Sequence, residues 1–238
     1  MESPCCFGSV LIVGCGYLGQ RVAISASKRG QEVWVTTRSN ARASHLESAG
    51  FRPIVVDWSK KRSLCSLPAV DSVLVAVSYD ASAGFGRYES QVGGLRNLLA
   101  AIGTKPNVCY ISTTGVYHQT DGRWVDENSP ARPNREGGRV HLQAEQLVRR
   151  RTDSVSTILR LSGIYGPGRV PRAGDVIAGR PIRSSENGFL NLIHVKDAAR
   201  AVLASWDNQR SGLYVVSDDQ PTRRGDFYRE IARQCGVG

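Results

Sequence analysis

The stretch Val13-Gly14-Cys15-Gly16-Tyr17-Leu18-Gly19 decides the fold. It is a GxGxxG turn, and its neighbours give it meaning. Ser9 to Val13 reads as a buried strand, Tyr17 to Arg29 as a helix, and Glu32 to Thr36 as a second strand. A glycine turn between strand and helix, inside a βαβ unit of about thirty residues, is the fingerprint of a dinucleotide-binding crossover. Gly14 permits the tight turn, Gly16 lets a pyrophosphate approach the backbone, and Gly19 lets the helix pack on the sheet. With Tyr17 and Leu18 they open a helix whose positive end favours phosphate.

Outward from the turn, strand and helix patterns alternate. Asn40 to Ala49 reads as a short helix, Pro53 to Val56 as a strand, and Ser72 to Val77 as a fully apolar strand. Tyr88 to Ile102 reads as a helix, Val108 to Ser112 as a strand, Gly138 to Arg151 as a helix, and Val155 to Leu161 as a strand. Such alternation predicts right-handed crossovers and an α/β fold, a doubly wound parallel sheet of Rossmann type. After Leu161 the pattern changes. Gly163, Gly166, Pro167, Gly168 and Pro171 mark a loop-rich region. Asn191 to Trp206 reads as a strand edge entering a helix, Leu213 to Val216 as a short strand, and Gly225 to Cys235 as a helix. The expected organisation is a dinucleotide-binding domain over 1–162 and a small substrate lobe over 163–238, interleaved with it.

The end of the second strand bears on the choice of cofactor. A chain specific for NAD places Asp or Glu there to hold the ribose 2′-hydroxyl. This one has Thr36-Thr37-Arg38-Ser39. Arg38 offers a forked, permanently charged donor set for a 2′-phosphate, with the Thr37 hydroxyl beside it. NADP(H) is therefore expected over NAD(H), against the plainer reading of Arg38 as a surface arginine. Asp57, after the third strand, is either an acceptor for the adenine amino group or a turn residue before Trp58. Ala76, at the end of the apolar strand, completes the expected cofactor-side set.

Bulk composition excludes several classes. Of the 238 residues, 41% are hydrophobic and 22% charged, which fits a globular chain rather than a disordered one. No apolar run approaches the roughly 20 residues needed to span a bilayer. The start, Met1-Glu2, lacks the basic flank of a signal peptide, so a cytoplasmic location is expected. The net charge of +10 raises the question of nucleic acid. Its basic residues form small groups, such as Lys60-Lys61-Arg62 and Arg149-Arg150-Arg151, without interleaved aromatics. A small phosphorylated ligand is the preferred partner, and oligomeric state is not legible. The six cysteines show no CxxC spacing, which excludes the usual zinc and dithiol patterns and fits a reducing compartment. The four histidines are far apart in sequence, so no metal is expected.

Several stretches, in order, resemble the extended and atypical short-chain dehydrogenase/reductases, the NAD-dependent epimerase/dehydratase family. After the glycine turn comes Tyr110-Ile111-Ser112-Thr113-Thr114-Gly115-Val116-Tyr117. Trp124-Val125-Asp126-Glu127 resembles the family's acidic loop, and Leu159-Arg160-Leu161-Ser162-Gly163-Ile164-Tyr165-Gly166-Pro167-Gly168 its sixth strand and following loop. Asn191-Leu192-Ile193-His194-Val195-Lys196-Asp197-Ala198-Ala199 resembles its "IHVxDxA" element.

The resemblance implies a Ser/Thr hydroxyl on the substrate oxygen, a tyrosine acid/base, and a lysine four residues later on the same helix face. The cation favours the phenolate of a tyrosine that would otherwise titrate near pH ~10. Thr113 fills the hydroxyl position. Aligning Glu145 with the family's helix glutamate puts Gly137 where the tyrosine belongs and His141 where the lysine belongs. No tyrosine lies between Tyr117 and Tyr165, so shifting the register restores nothing. His141 can reach the nicotinamide ribose and titrate near neutrality, or it is a packing residue of an amphipathic helix. The chain stops just past its last helix, where relatives continue; a shortened member or a partial chain is expected, with a more open pocket in either case.

The expected function is an NADP(H)-dependent oxidoreductase or epimerase/dehydratase-like enzyme. Its substrate would be a sugar nucleotide or a small carbonyl or hydroxyl compound, and its acid/base site departs from the norm. The alternative is a dinucleotide-binding sensor or regulator without catalysis.

Overall fold

The computed structural model describes residues 8–237, so Cys5, Cys6 and the Met1-Glu2 start lie outside the described residues. Among the described residues, eleven strands and seven α-helices follow one another in chain order. The first half comprises β1 (Ser9–Val13), α1 (Tyr17–Lys28), β2 (Glu32–Thr37), α2 (Asn40–Ser48), β3 (Arg52–Val55), β4 (Ser72–Val75), α3 (Gly94–Ile102) and β5 (Asn107–Thr113). Then come α4 (Glu136–Arg149), β6 (Ser156–Leu161), β7 (Gly163–Tyr165), α5 (Ala173–Ile177), β8 (Phe189–Leu190) and β9 (Leu192–His194). The chain closes with α6 (Val195–Asn208), β10 (Gly212–Val216), β11 (Thr222–Arg223) and α7 (Arg224–Cys235).

Seven strands form one sheet in the order β10-β6-β5-β4-β1-β2-β3, with every pair parallel. Side-chain alternation along the strands divides the core into two layers. Val10 and Ile12 of β1, Leu74 of β4 and Cys109 of β5 pack against Val22 and Ala26 of α1 and Val202 of α6. Leu11 and Val13, Val73 and Val75, and Val108 and Tyr110 face the other way, onto Leu95 and Leu98 of α3 and Val140 and Val148 of α4. The result is the doubly wound three-layer α/β fold of Rossmann type. Among the described residues no helix is long and apolar enough to cross a membrane.

Two elements beyond residue 162 belong to these layers. β10 forms the edge strand beside β6. α6 packs on α1, and Arg29 of that layer pairs with Asp207. Outside the layers stand the pairs β7–β9 and β8–β11, with α5 packed on α7. The loop-rich region after Leu161 carries more structure than its glycines and prolines imply. α5 buries none of its five residues, so no apolar period marks it. The segment expected as one helix from Tyr88 is interrupted near its start by a π-helical turn, Glu89–Gly93. The adjacent Gly93 and Gly94 weaken the regular ladder there.

Candidate functional site

The strand order reverses between β1 and β4, and the carboxyl ends of β1, β2 and β4 open onto a cavity of about 380 Å³. A topological switch point is where open α/β sheets bind ligands, and the volume falls within the range of small-molecule pockets. Its lining includes Gly14, Gly16, Thr37, Arg38, Asp57 and Ala76, six of the residues expected from sequence to face a cofactor.

The three glycines of the turn are used differently. Gly14 adopts φ +96°, and a Cβ there would lie 2.6 Å from the Ala76 carbonyl oxygen. A Cβ at Gly19 would lie 2.3 Å from the Gly14 carbonyl oxygen, so α1 can sit this close to the turn only with glycine. A Cβ at Gly16 would meet nothing within 4 Å. No part of the fold needs that space, and it borders the cavity. Between them, Cys15 is chemically quiet, because burial pushes its thiol up to about 11. Leu18 is buried in the α1 layer. Tyr17 turns away from the cavity: its hydroxyl donates to the Pro167 carbonyl at 3.1 Å, and Arg21 stacks on its ring at 3.9 Å.

At the end of β2 the Thr36 hydroxyl accepts from the Gly14 N–H at 3.3 Å, tying the strand to the turn. Thr37 Oγ1 accepts from the Ser39 N–H, and Ser39 caps α2 by accepting from the Arg42 N–H. These bonds set two guanidinium groups on the cavity wall. Arg42 donates to the Cys15 carbonyl at 2.8 Å. Arg38 pairs with Asp80, which reaches across from the segment after β4, at 2.5 Å. Hydrogen bonds from Ser82, then from Arg38, hold the Asp80 carboxyl down at about 2. Asp57 uses Oδ1 to accept from the N–H and hydroxyl of Ser59, which is turn geometry, while still lining the cavity.

The second cluster lies at the end of β5. Thr113 Oγ1 accepts from the Gly115 N–H at 3.0 Å, which leaves the hydroxyl proton free to donate. Gly138 packs on the turn after Thr113, where a Cβ would lie 2.4 Å from the Gly115 carbonyl oxygen. His141 Nδ1 is 2.8 Å from the Tyr110 hydroxyl. Burial, with Glu145 adding to it, pushes the Tyr110 phenol far above its ordinary range. Tyr110 therefore keeps its proton, and Nδ1 is the partner of its hydroxyl among the described residues; donation to Nδ1 would put the imidazole N–H on Nε2. Burial holds the His141 pKa down, with Arg87 adding to this and Glu145 opposing it.

Behind this cluster runs a buried ionic network. Arg160 of β6 donates to both oxygens of Glu145 on α4, at 2.9 and 2.7 Å, and both side chains are at most 4% exposed. Ser112 donates to the same carboxylate at 2.6 Å. Arg160 also donates to the Tyr117 hydroxyl, which donates to the Asp126 carbonyl at 2.6 Å. Glu127 then accepts from the Val215 N–H, pinning the acidic loop to the edge strand β10.

Sequence reading missed Thr36, Arg42, Asp80 and this network. Ser39 followed three residues later by Arg42, at a helix start, was the available signal for the second guanidinium. Asp80 lies 42 residues from Arg38, and nothing local announces the pair.

The NAD dependent epimerase/dehydratase family profile matches residues 10–216. Protein YeeZ of Escherichia coli K12 is 28% identical over 237 residues, covering 96% of this chain and 84% of that protein. A structure from Methylobacillus flagellatus, described as of the NAD-dependent epimerase/dehydratase class, is 30% identical. It superposes with a TM-score of 0.79 over 98% of this chain and 83% of its own. The UDP-glucose 4-epimerase of Thermus thermophilus, in complex with NAD, shares the fold at 20% identity. Its TM-score is 0.80, over 97% of this chain and 84% of that one.

Proposed function

The chain belongs to the NAD dependent epimerase/dehydratase family, and on that premise we propose that it is an NADP(H)-dependent oxidoreductase acting on a small carbonyl or hydroxyl substrate. Membership carries a nicotinamide dinucleotide and oxidoreductase-type chemistry; the phosphate preference and the substrate are our reading. The observation that carries it is the cavity wall at β2. Two guanidinium groups, Arg38 and Arg42, line it, and no carboxylate stands at the strand end.

The residues fit such a cofactor. The open face of Gly16 admits a pyrophosphate, and Gly14, Leu18 and Gly19 hold the turn. Arg38 and Arg42 suit a 2′-phosphate once Arg38 leaves Asp80. Bound there, a reduced nicotinamide supplies a hydride. Thr113 directs its free hydroxyl proton to the substrate oxygen. Neutral His141 offers an Nε2–H as a donor rather than a charge. We assign substrate selection to residues 163–191 and 217–237, which build the structure outside the main layers.

Gly137 favours a second reading, a dinucleotide-binding regulator without catalysis. Oxidation and reduction of a panel of sugar nucleotides and small carbonyl compounds, followed by nicotinamide absorbance, separates the two. Turnover that Thr113→Ala reduces at least a hundredfold supports the enzyme. Tight cofactor binding with no turnover across the panel supports the regulator.

A further inference from the structure

Arg87 stands in the segment that leaves β4 and walls the cavity through Ser78, Asp80, Ala83, Phe85 and Ser90. Its guanidinium carbon lies 4.2 Å from the centroid of the Tyr79 ring. Tyr79 in turn donates its hydroxyl to the Phe85 carbonyl at 3.2 Å, which fixes the ring under the cation. A Cβ at Gly137 would lie 3.6 Å from Arg87 Nη1. The space a side chain at 137 would fill is thus the approach to this guanidinium. The contact of Gly138 with Gly115 ties the same stretch of α4 to the turn after Thr113.

The cation, 31% exposed, has only a loose ion pair among the described residues. Glu136 is the carboxylate beside it, at 3.7 Å from Nε, beyond hydrogen-bonding reach and 64% exposed. Arg87 Nε is buried and makes no hydrogen bond among the described residues. Other arginines here are engaged: Arg160 grips Glu145, and Arg151 donates to the carbonyls of Gly103, Thr104 and Pro106. A buried N–H on a permanent charge is costly without an acceptor. His141 of α4 also senses Arg87, and burial holds its pKa down, so beside this guanidinium it is a hydrogen-bonding group more than a second cation.

We propose that Arg87 anchors a carboxylate of the substrate, in the space left by Gly137 and next to the Thr113 hydroxyl. A guanidinium held over an aromatic ring keeps a forked set of N–H donors, which suits the bidentate geometry of a carboxylate. The substrate class narrows to carbonyl compounds bearing a carboxylate close to the reacting carbon, as in 2-oxo and 3-oxo acids. This rests on the oxidoreductase reading above.

Oxamate, an unreactive carboxylate beside a carbonyl, is the probe, titrated into the cofactor-loaded protein and followed by thermal shift. Wild type should respond, Arg87→Gln should bind oxamate at least tenfold more weakly, and Arg87→Lys should fall between them. The NADPH-induced shift should be the same in all three, which shows that the variants fold. Equal oxamate responses in wild type and Arg87→Gln, or a cofactor-loaded wild type that ignores oxamate, overturn the proposal alone. A wild type that responds to neither NADPH nor NADH overturns the functional reading, and this proposal with it.

Discussion

At the scale of single residues, opposed charges set the behaviour of the site. Asp80 holds Arg38, so under the proposed function it competes with a 2′-phosphate for this guanidinium. Asp80→Asn should therefore tighten NADPH a few-fold and leave NADH unchanged in a fluorescence titration, the modest size expected of an exposed pair. Asp80 stays ionised down to about 2, so this competition is constant at ordinary pH. The 2′-phosphate is not constant, since its second pKa is about 6. Preference for NADPH should weaken as pH falls through that value.

His141 gives a second pH effect. Its folded pKa is depressed, so below the unfolded value of about 6.5 the unfolded chain binds a proton that the folded chain refuses. Stability from this group is present above that value and is lost as pH falls below it. His141→Gln should narrow the difference in Tm between about pH 7.5 and about pH 5.5; an unchanged difference would show that the imidazole does not report this burial.

Glu145 and Arg160 concern the fold more than the chemistry. Breaking a buried, bidentate pair leaves an unmatched charge. Glu145→Gln should cost about 3–5 kcal/mol, on the order of 10 °C in Tm. Local sequence did not announce this pair or Arg38–Asp80, because each joins residues from different elements.

At the scale of elements, the turn between β1 and α1 makes a separable prediction. The fold leaves the space at Gly16 open, whereas Gly19 touches the turn itself. Gly16→Ala should keep the apo Tm and lose the cofactor shift; Gly19→Ala should lose both. Calorimetry of the two variants with and without NADPH checks this, and equal apo destabilisation would contradict it. The strand, glycines and helix of this turn were legible in the sequence because they are contiguous, whereas the directions taken by Tyr17 and Leu18, expected beside the cofactor, were not. The strand-to-helix junction at His194 was legible for the same reason, and its Nδ1 caps α6 by accepting from the Lys196 N–H. α5 was not, since an exposed helix carries no apolar period. The π-helical turn at Glu89–Gly93 was not, since its apolar residues fit an ordinary helix.

For the whole molecule, alternation of apolar strands with amphipathic helices specified the parallel sheet, and right-handed crossovers left few alternatives. The interleaving after residue 162 was visible only in outline. β10 joins the sheet through backbone bonds to β6, and hydrogen-bond partners are not encoded in a strand's own pattern. Of the cavity at the switch point, the part built on the contiguous glycine motif was legible as structure. Far less was legible around Thr113, where Arg87 from the segment after β4, Thr113 from β5, and Gly137 and His141 from α4 are assembled only by the fold. The same fold puts two guanidinium groups, Arg38 and Arg42, on the cavity wall at the end of β2.

That arrangement is tested most directly by the thermal shifts produced by NADPH and NADH on wild type and on Arg38→Asp. Ligand bound only by the folded state raises Tm by mass action. The account predicts a larger shift with NADPH than with NADH in wild type, and the reverse in Arg38→Asp. Equal shifts from the two cofactors in wild type, or a preference for NADPH that survives in Arg38→Asp, would contradict it.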